Sequence, residues 1–228
     1  MSDKHAWITN FQVDLAQAFF ALPDSTGFYL AGGAALIAAG IVDRETEDLD
    51  IFTAIANIPT AVDAFAAECQ RHGWRLRVDP ERHFDTYTRV FVASSGMADD
   101  DAIKIEFARD AAPLNAIRTT FLGPTLDLED SAGQKMLALF GRAAPRDFVD
   151  VFALSTRYST SQLLQFAAER DAGFDRTVFV EMIAMLDKIT DRQLGVPPEQ
   201  ATRIRDFFAI WCGELHNIGA SHDSHHFA

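Results

Sequence analysis

The chain has 228 residues, a formal net charge of −13 and 48% hydrophobic residues, a composition typical of a globular protein and not of a disordered one. Its two cysteines exclude a disulfide framework and a cysteine-rich zinc site, as is usual in a reducing compartment. No run reaches the ~18 apolar residues of a membrane span, and the first residues lack the apolar core of a signal peptide. We therefore expect a cytoplasmic protein without a membrane partner.

The negative charge is concentrated in the first two thirds of the chain. Residues 1–150 contain 23 acidic and 13 basic side chains. Nonspecific nucleic-acid binding draws its affinity from neutralised phosphates, so this charge argues against a broad nucleic-acid surface but leaves room for a local basic track. Sixteen of the twenty basic residues are arginines, which makes each of the four lysines notable.

Helical and extended patterns alternate in the first half of the chain. The apolar spacing predicts a helix over 9–22 with Thr9 as its N-cap, a strand over 28–31, a glycine turn, and a short helix over 34–39. Strands are also predicted over 49–52, 74–78, 86–93 and 102–108, with a helix from 59 to about 73. This order predicts a small mixed sheet packed against helices.

From Leu128 onward the apolar residues keep a helical period. Helices are predicted over 130–141 and 146–156, and three further amphipathic segments extend to about Leu215. The fold expected from this change of period is of the α+β class, with a small mixed sheet followed by a C-terminal helical bundle. The predicted parts are an α/β core over 1–126, a helical domain over 127–220, and a flexible tail over 221–228.

A glycine pair and a DxD sequence follow one another in residues 28–52, FYLAGGAALIAAGIVDRETEDLDIF. Gly32 and Gly33 come directly after a buried strand, so the backbone can approach a ligand, and the next helix can direct its N-terminal amides at a phosphate. Strand alternation places Asp48 and Asp50 on one exposed face. Two neighbouring carboxylates repel each other, and their joint display implies a cation between them.

Glu106 offers a third carboxylate in the strand IKIEF, residues 103–107, where Lys104 and Glu106 lie on the face opposite the apolar residues. If this strand lies near the first, Glu106 can converge with Asp48 and Asp50. Carboxylates suit Mg²⁺, which also binds substrate phosphates and water and can assist in-line attack at phosphorus. A glycine turn or a DxD alone is more often structural, so the prediction rests on their combined order.

A second group of charged residues lies in 127–158, DLEDSAGQKMLALFGRAAPRDFVDVFALSTRY. Lys135 is a reasonable ligand for a triphosphate, because it is a rare lysine beside an acidic site. On the next helix Asp147 and Asp150 are i,i+3 neighbours, and Arg146 can pair with Asp150. Arg–Asp pairs at the start of a helix are often structural, and that alternative stays open.

Together these segments resemble the AbiEii/AbiGii toxin family of nucleotidyltransferase-like proteins, which includes the MenT toxins. The resemblance covers about residues 25–158 and depends on motifs that occur in the family's order. It implies a DNA polymerase β-like nucleotidyltransferase fold, in which a minimal catalytic core is followed by helices. The implied activity is Mg²⁺-dependent transfer of a nucleotide from an NTP to an RNA acceptor such as tRNA, held in check by a cognate antitoxin.

The resemblance also implies individual roles. Gly32 and Gly33 match the family's glycine turn, and Arg44 and Thr46 match an Arg-x-Ser stretch that binds nucleotide. Asp48 and Asp50 match the metal-binding DxD. Lys135 matches the lysine before the RDxxD helix, and Asp147 or Asp150 matches the acid that follows it. Glu106 would complete the metal site or act as a base toward the acceptor hydroxyl. The chain departs from the family at Ala34, where a Ser or Thr hydroxyl usually adds a phosphate hydrogen bond of about 1 kcal/mol.

Two other functions remain open at this point. The acidic composition would suit a nucleotidyltransferase for a small acceptor such as an antibiotic. Ala34 would suit a catalytically weak relative that binds a nucleotide or a partner protein. The sequence does not identify the NTP or the acceptor.

Overall fold

The structure is a computed structural model that describes residues 7–223, with their side chains as far as residue 216. Contacts within the chain divide it into two compact units, the first ending at Ser131 and the second beginning at Ala132. The sequence pattern had placed this boundary a few residues earlier, after residue 126. Each unit is described by itself.

The first unit contains a seven-stranded sheet and three complete helices among its described residues. Its helices are α1 (Asn10–Phe20), α2 (Gly32–Ala38) and α3 (Ile58–Arg71). Its strands are β1 (Phe28–Ala31), β2 (Asp48–Thr53), β3 (Arg75–Phe84), β4 (Tyr87–Ala93), β5 (Ile103–Arg109), β6 (Arg118–Thr120) and β7 (Gly123–Thr125). The strand order is β3-β4-β5-β2-β1-β7-β6. The sheet is mixed, because β2 pairs with β5 and β1 with β7 in parallel while the other pairs are antiparallel.

Aromatic packing shows which face of the sheet the helices cover. The ring of Phe107 on β5 lies 5.1 Å from that of Phe19 on α1 and 6.2 Å from that of Phe65 on α3, and all three side chains are fully buried. Successive strand residues point to opposite faces. Lys104 and Glu106 therefore lie on the face opposite α1 and α3, and the candidate site described below lies on that face.

All regular secondary structure in the described part of the second unit is helical. It comprises most of α4 (Leu128–Arg142), α5 (Pro145–Leu154), α6 (Thr160–Arg170), α7 (Arg176–Ala184), α8 (Asp191–Leu194) and α9 (Pro198–Asp223). Its core is aromatic: the Trp211 ring lies 5.4 Å from that of Phe179, and the Phe148 and Phe208 rings are 5.1 Å apart. None of the described helices combines the length and apolar character needed to cross a membrane.

The predicted order of a mixed sheet followed by helices is confirmed, and the differences lie in short or irregular elements. Strands β6 and β7 were not predicted, since each has three residues and β7 includes a glycine and a proline. Strand β3 extends beyond its predicted end through Pro80, which an edge strand tolerates, and its pairing shifts register there. Helix α9 continues to Asp223, three residues into the predicted tail, and residues 224–228 lie outside the described part.

Candidate active site

Strand β2 presents the DxD carboxylates on the face of the sheet opposite α1 and α3. Leu49 and Ile51 are fully buried on the helix-covered face, which leaves Asp48 and Asp50 on the other, as the alternation predicted. The expectation that both carboxylates are exposed is wrong for Asp48, which retains only 6% of its accessible surface. A carboxylate this buried requires a positive partner or hydrogen-bond donors.

Strand β5 runs parallel to β2 and brings Glu106 beside Asp50 and Lys104 beside Asp48. The Lys104 Nζ lies 2.9 Å from Asp48 Oδ2 and 3.6 Å from Glu106 Oε1. Arg89 on β4 donates to Glu106 Oε1 from Nε at 3.0 Å and from Nη2 at 2.8 Å. The predicted neighbours do meet, but two cationic side chains lie among the carboxylates.

This network changes the protonation of its members. Burial lowers the pKa of Lys104, but the hydrogen bond and charge of Asp48 and the charge of Glu106 outweigh it, so the pKa is raised overall. Burial raises the pKa of Glu106, but contacts with Tyr87, Lys104 and Arg89 lower it further than that, so its pKa is lowered overall. Both groups are therefore charged near neutral pH, and Glu106 is a weak proton acceptor.

Two of the three predicted metal ligands have the chemistry that Mg²⁺ requires. Asp48 already contacts the positively charged Lys104 ammonium, and Asp50 lies on the same face of the strand. Both carboxylates are hard oxygen donors, the kind of ligand that Mg²⁺ prefers. Within the described residues, no three His, Cys, Asp or Glu side chains are positioned to hold an ion by themselves. Metal binding by Glu106, whose Oε1 accepts from Arg89, stays a prediction.

The glycine turn lies directly against the DxD strand. Gly32 has φ +63°, and a Cβ built on it would lie 1.8 Å from Asp50 Oδ2. A Cβ on Gly33 would lie 3.1 Å from Arg44 Nη2 and 3.2 Å from Thr46 Oγ1. The structure thus gathers three of the predicted residues, Asp50, Arg44 and Thr46, around the two predicted glycines. Helix α2 begins at Gly32 itself, two residues earlier than predicted.

A side chain that sequence reasoning missed holds the loop carrying Thr46. Gln12, almost fully buried on α1, donates from Nε2 to the Thr46 carbonyl at 2.7 Å. The Thr46 hydroxyl in turn lies 3.2 Å from the Asp48 carbonyl oxygen. Gln12 also completes a capping box with Thr9, the predicted N-cap. The sequence shows this local capping pattern but not the contact between Gln12 and Thr46.

Lys104 was also missed, although the sequence contained a signal for it. It is one of four lysines, and the alternation of β5 had already placed it on the same face as Glu106. What the sequence could not supply is the strand register that sets Lys104 opposite Asp48.

The predicted residues of the second unit form two ion pairs. Lys135 Nζ lies 2.7 Å from Asp150 Oδ2, with 8% and 0% of the two side chains exposed. Asp147 accepts from Arg142 Nε at 2.9 Å and from the backbone N–H of Ala144 at 3.2 Å, so it caps the start of α5. Asp147 therefore has structural contacts at the start of α5, and its role in binding nucleotide stays a prediction.

A comparison with protein families finds one match that spans most of the chain. The family model described as "Nucleotidyl transferase AbiEii toxin, Type IV TA system" matches residues 14–217. Among curated proteins, none matches.

Solved structures with the same fold include two from Helicobacter pylori and one from Mycobacterium tuberculosis. JHP933 from H. pylori is 20% identical, with a TM-score of 0.54 over 95% of this chain and 98% of that one. A second H. pylori protein, described as a candidate nucleotidyltransferase, is 19% identical, with a TM-score of 0.58 over 96% and 99%. The nucleotidyltransferase toxin MenT4 from M. tuberculosis H37Rv is 19% identical, with a TM-score of 0.54 over 86% and 82%. At these identities the likeness establishes the fold.

Proposed function

Because this chain belongs to the AbiEii family of nucleotidyltransferase toxins, we propose that it transfers a nucleotide from an NTP to an RNA acceptor, such as tRNA, in a Mg²⁺-dependent reaction. Membership makes it a nucleotidyltransferase with an NTP substrate, and the family's toxin–antitoxin system implies an antitoxin as partner. The observation that carries the proposal is the contact between the glycine turn and the DxD strand, where Gly32 leaves room only for the Asp50 carboxylate.

We assign the metal to Asp48 and Asp50. When bound, Mg²⁺ would neutralise phosphate charge and orient the reacting phosphoryl group. Asp48 would serve as an oxygen ligand of the metal, and the neighbouring Lys104 ammonium would supply positive charge to a phosphate oxygen. Glu106 is kept ionised by Arg89 and Lys104, so we favour its role as a ligand or positioning group over its role as a general base.

The phosphates of the NTP are proposed to bind on the β1 side of the DxD strand. Gly33, Arg44 and Thr46 meet there, and together they offer a backbone amide, a guanidinium and a hydroxyl. Backbone amides and arginine are the usual partners of phosphate oxygens. In the reaction the acceptor hydroxyl oxygen bonds to the α-phosphorus, the bond to pyrophosphate breaks, and the hydroxyl proton passes to solvent or a neighbouring base.

Lys135 and Asp150 stay in the proposed machinery as the family's lysine and acid, with Lys135 as a ligand of the triphosphate. Their mutual ion pair gives both residues a structural role as well. Asp147 is proposed to act indirectly, by fixing the start of the helix that carries Asp150.

The metal assignment is tested by Asp48→Asn and Asp50→Asn, which remove one charge each and keep the shape of the side chain. Transfer from each α-³²P-labelled NTP to pooled RNA should fall at least about 100-fold, because the metal accounts for several kcal/mol of charge stabilisation. Asp63→Asn is the matched control, since Asp63 is exposed on α3 at the helix-covered side of the sheet. Full activity of Asp50→Asn would refute the assignment.

The same assay separates the other functions. Labelling of small hydroxyl compounds and of no RNA would favour the small-acceptor enzyme. If calorimetry shows that the wild type binds an NTP but no turnover is detected, the result would favour the catalytically weak relative that only binds a nucleotide. The missing hydroxyl at Ala34 is the reason for considering that function. Ala34 is fully buried, so an Ala34→Thr variant must displace its neighbours and is a poor probe of that hydroxyl.

A further inference from the structure

The face of the sheet that carries the DxD continues to the edge strand β3. Asp48 pairs with Lys104, Lys104 with Phe91, and Phe91 with Arg77, so these four residues form one row across β2, β5, β4 and β3. Cross-strand partners project from the same face. The row is therefore a continuous surface that begins at the proposed metal site and ends at the edge of the sheet.

The outer half of this row is an arginine stacked on an aromatic ring. The Arg77 Cζ lies 4.5 Å from the centroid of the half-buried Phe91, and the Arg77 side chain is exposed. Arg89, in the neighbouring row, is held by Glu106 and lies 3.7 Å from Asp79. Arg77, by contrast, forms no ion pair with any residue that the structure describes.

The direction of the proposed reaction places the acceptor on this side. In-line displacement requires the attacking oxygen and the leaving group on opposite sides of the phosphorus. The glycine turn holds the leaving pyrophosphate beside β1, and β5 is the strand on the other side of β2. The acceptor therefore approaches over β5 and β4, along the row that leads to Arg77.

We propose that the Arg77–Phe91 pair is a stacking platform for the single-stranded end of the acceptor RNA. This inference rests on the proposed function and names the surface that binds its acceptor. At a strand spacing of ~4.8 Å, Phe91 lies ~10 Å and Arg77 ~14 Å from Asp48. Those distances correspond to the first few nucleotides behind the reacting hydroxyl, at ~3.4 Å per stacked nucleotide.

The chemistry of the pair suits unpaired bases. A guanidinium plane stacks on any base, and the Arg77 guanidinium already lies over the Phe91 ring. Stacking of this kind tolerates sequence variation, because every base has a π-face. A small acceptor gains nothing from a platform this far from the metal site, so the platform favours a polymer.

The test uses a 5′-fluorescein-labelled, unstructured 12-nucleotide RNA and anisotropy without NTP. Phe91→Leu keeps apolar volume and removes the ring, while Arg77→Ala removes the guanidinium from an exposed site where folding is not at risk. Each should weaken RNA binding at least about fivefold and raise KM for RNA while KM for the NTP is unchanged. Arg77→Lys, which keeps charge without the plane, should resemble Arg77→Ala. The control is Arg71→Ala, which removes the same charge from α3 on the other face and should change binding less than twofold.

Each alternative outcome overturns a defined statement. If the wild type labels RNA but Phe91→Leu and Arg77→Ala bind the 12-mer normally, the platform is wrong and the proposed function stands. If Arg77→Ala and Arg71→Ala weaken binding equally, general charge explains the effect and the platform is again wrong. If the wild type labels no RNA, the acceptor class fails and the platform fails with it. Thermal melts of all variants identify any loss due to misfolding.

Discussion

At the scale of single residues, Gly32 determines how closely the backbone approaches the DxD strand. Its φ of +63° is costly for any residue with a Cβ, and the Asp50 carboxylate occupies the space that the Cβ would need. The positive φ and the lack of space for a Cβ therefore both require glycine at this position. The lack of space is due to Asp50, a proposed metal ligand.

We predict that Gly32→Ala displaces Asp50 and reduces nucleotide transfer at least about 100-fold, as loss of the metal ligand does. The matched control is Gly40→Ala, because Gly40 has a similar φ of +70° but no atom near the position of its Cβ. Both variants should lose about 1–2 kcal/mol of unfolding free energy from backbone strain, and only Gly32→Ala should lose activity. Urea unfolding and the RNA-labelling assay measure the two effects, and equal activity of the two variants would contradict the prediction.

The residues around Gly32 differ in how well the sequence predicts them. Asp48, Asp50 and the glycines are predictable, because strand alternation and a helix start are local patterns. The Asp48–Lys104 contact is not, since it depends on a register between strands far apart in the chain. The burial of Asp48 follows from that same contact and was missed for the same reason.

At the scale of elements, helices α4 and α5 are joined by the ion pair between Lys135 and Asp150. Both side chains are nearly or fully buried, so the two opposite charges compensate one another away from solvent. The neighbouring Arg142–Asp147 pair fixes the turn between the helices, where Ala143 has φ +46°. Both helices were predicted from the sequence, whereas the contact between Lys135 and Asp150 was not.

Lys135→Met should lower the unfolding free energy by about 3–5 kcal/mol, because it removes the cationic partner of a buried carboxylate. The double variant Lys135→Met/Asp150→Leu should recover most of this loss, since apolar residues can replace a buried pair. If Lys135 also binds the triphosphate, the stable double variant should still show a kcat/KM for NTP about 10–150-fold below wild type. Wild-type kinetics in the double variant would reduce both residues to a structural role.

Elements without a clear period were the ones that the sequence did not predict. Strands β6 and β7 have three residues each, too few for alternation to be recognised. Helix α1, β1, β2 and β5 were predicted close to their observed bounds because each has a regular apolar pattern and a capping or turn residue beside it.

At the scale of the whole molecule, the charge of −13 combines with internal ion pairs to set the response to acid. The pKa of Glu106 is lowered in the folded state, so its contribution to stability is present above the usual value of 4.5 and is lost as the pH falls through the lowered value. General repulsion among the acids diminishes over the same range and acts in the opposite direction.

The variant Glu106→Gln separates the contribution of the Glu106 ion pairs from the general repulsion among acidic side chains. We predict that the variant is less stable than wild type at pH 7, and that the difference shrinks as the pH falls from about 5 to 3. Urea midpoints measured across this range give the two curves. Glu169→Gln, at an exposed position on α6, removes the same charge and should run parallel to wild type. Parallel curves for Glu106→Gln would show that its ion pairs contribute no net stability.

The parallel pairing of β2 with β5 also has a kinetic consequence. Strands β3, β4 and β5 are consecutive in the chain and pair in that order, and β1 pairs with β2, the next strand along the chain. The pairing of β5 with β2, by contrast, closes a long loop. Local pairings form faster than distant ones, so this joint is expected late in folding. Asp48 then meets Lys104 in the step that completes the sheet. For a member of a toxin family, this order means that a nascent or partly folded chain has not yet assembled the proposed active site.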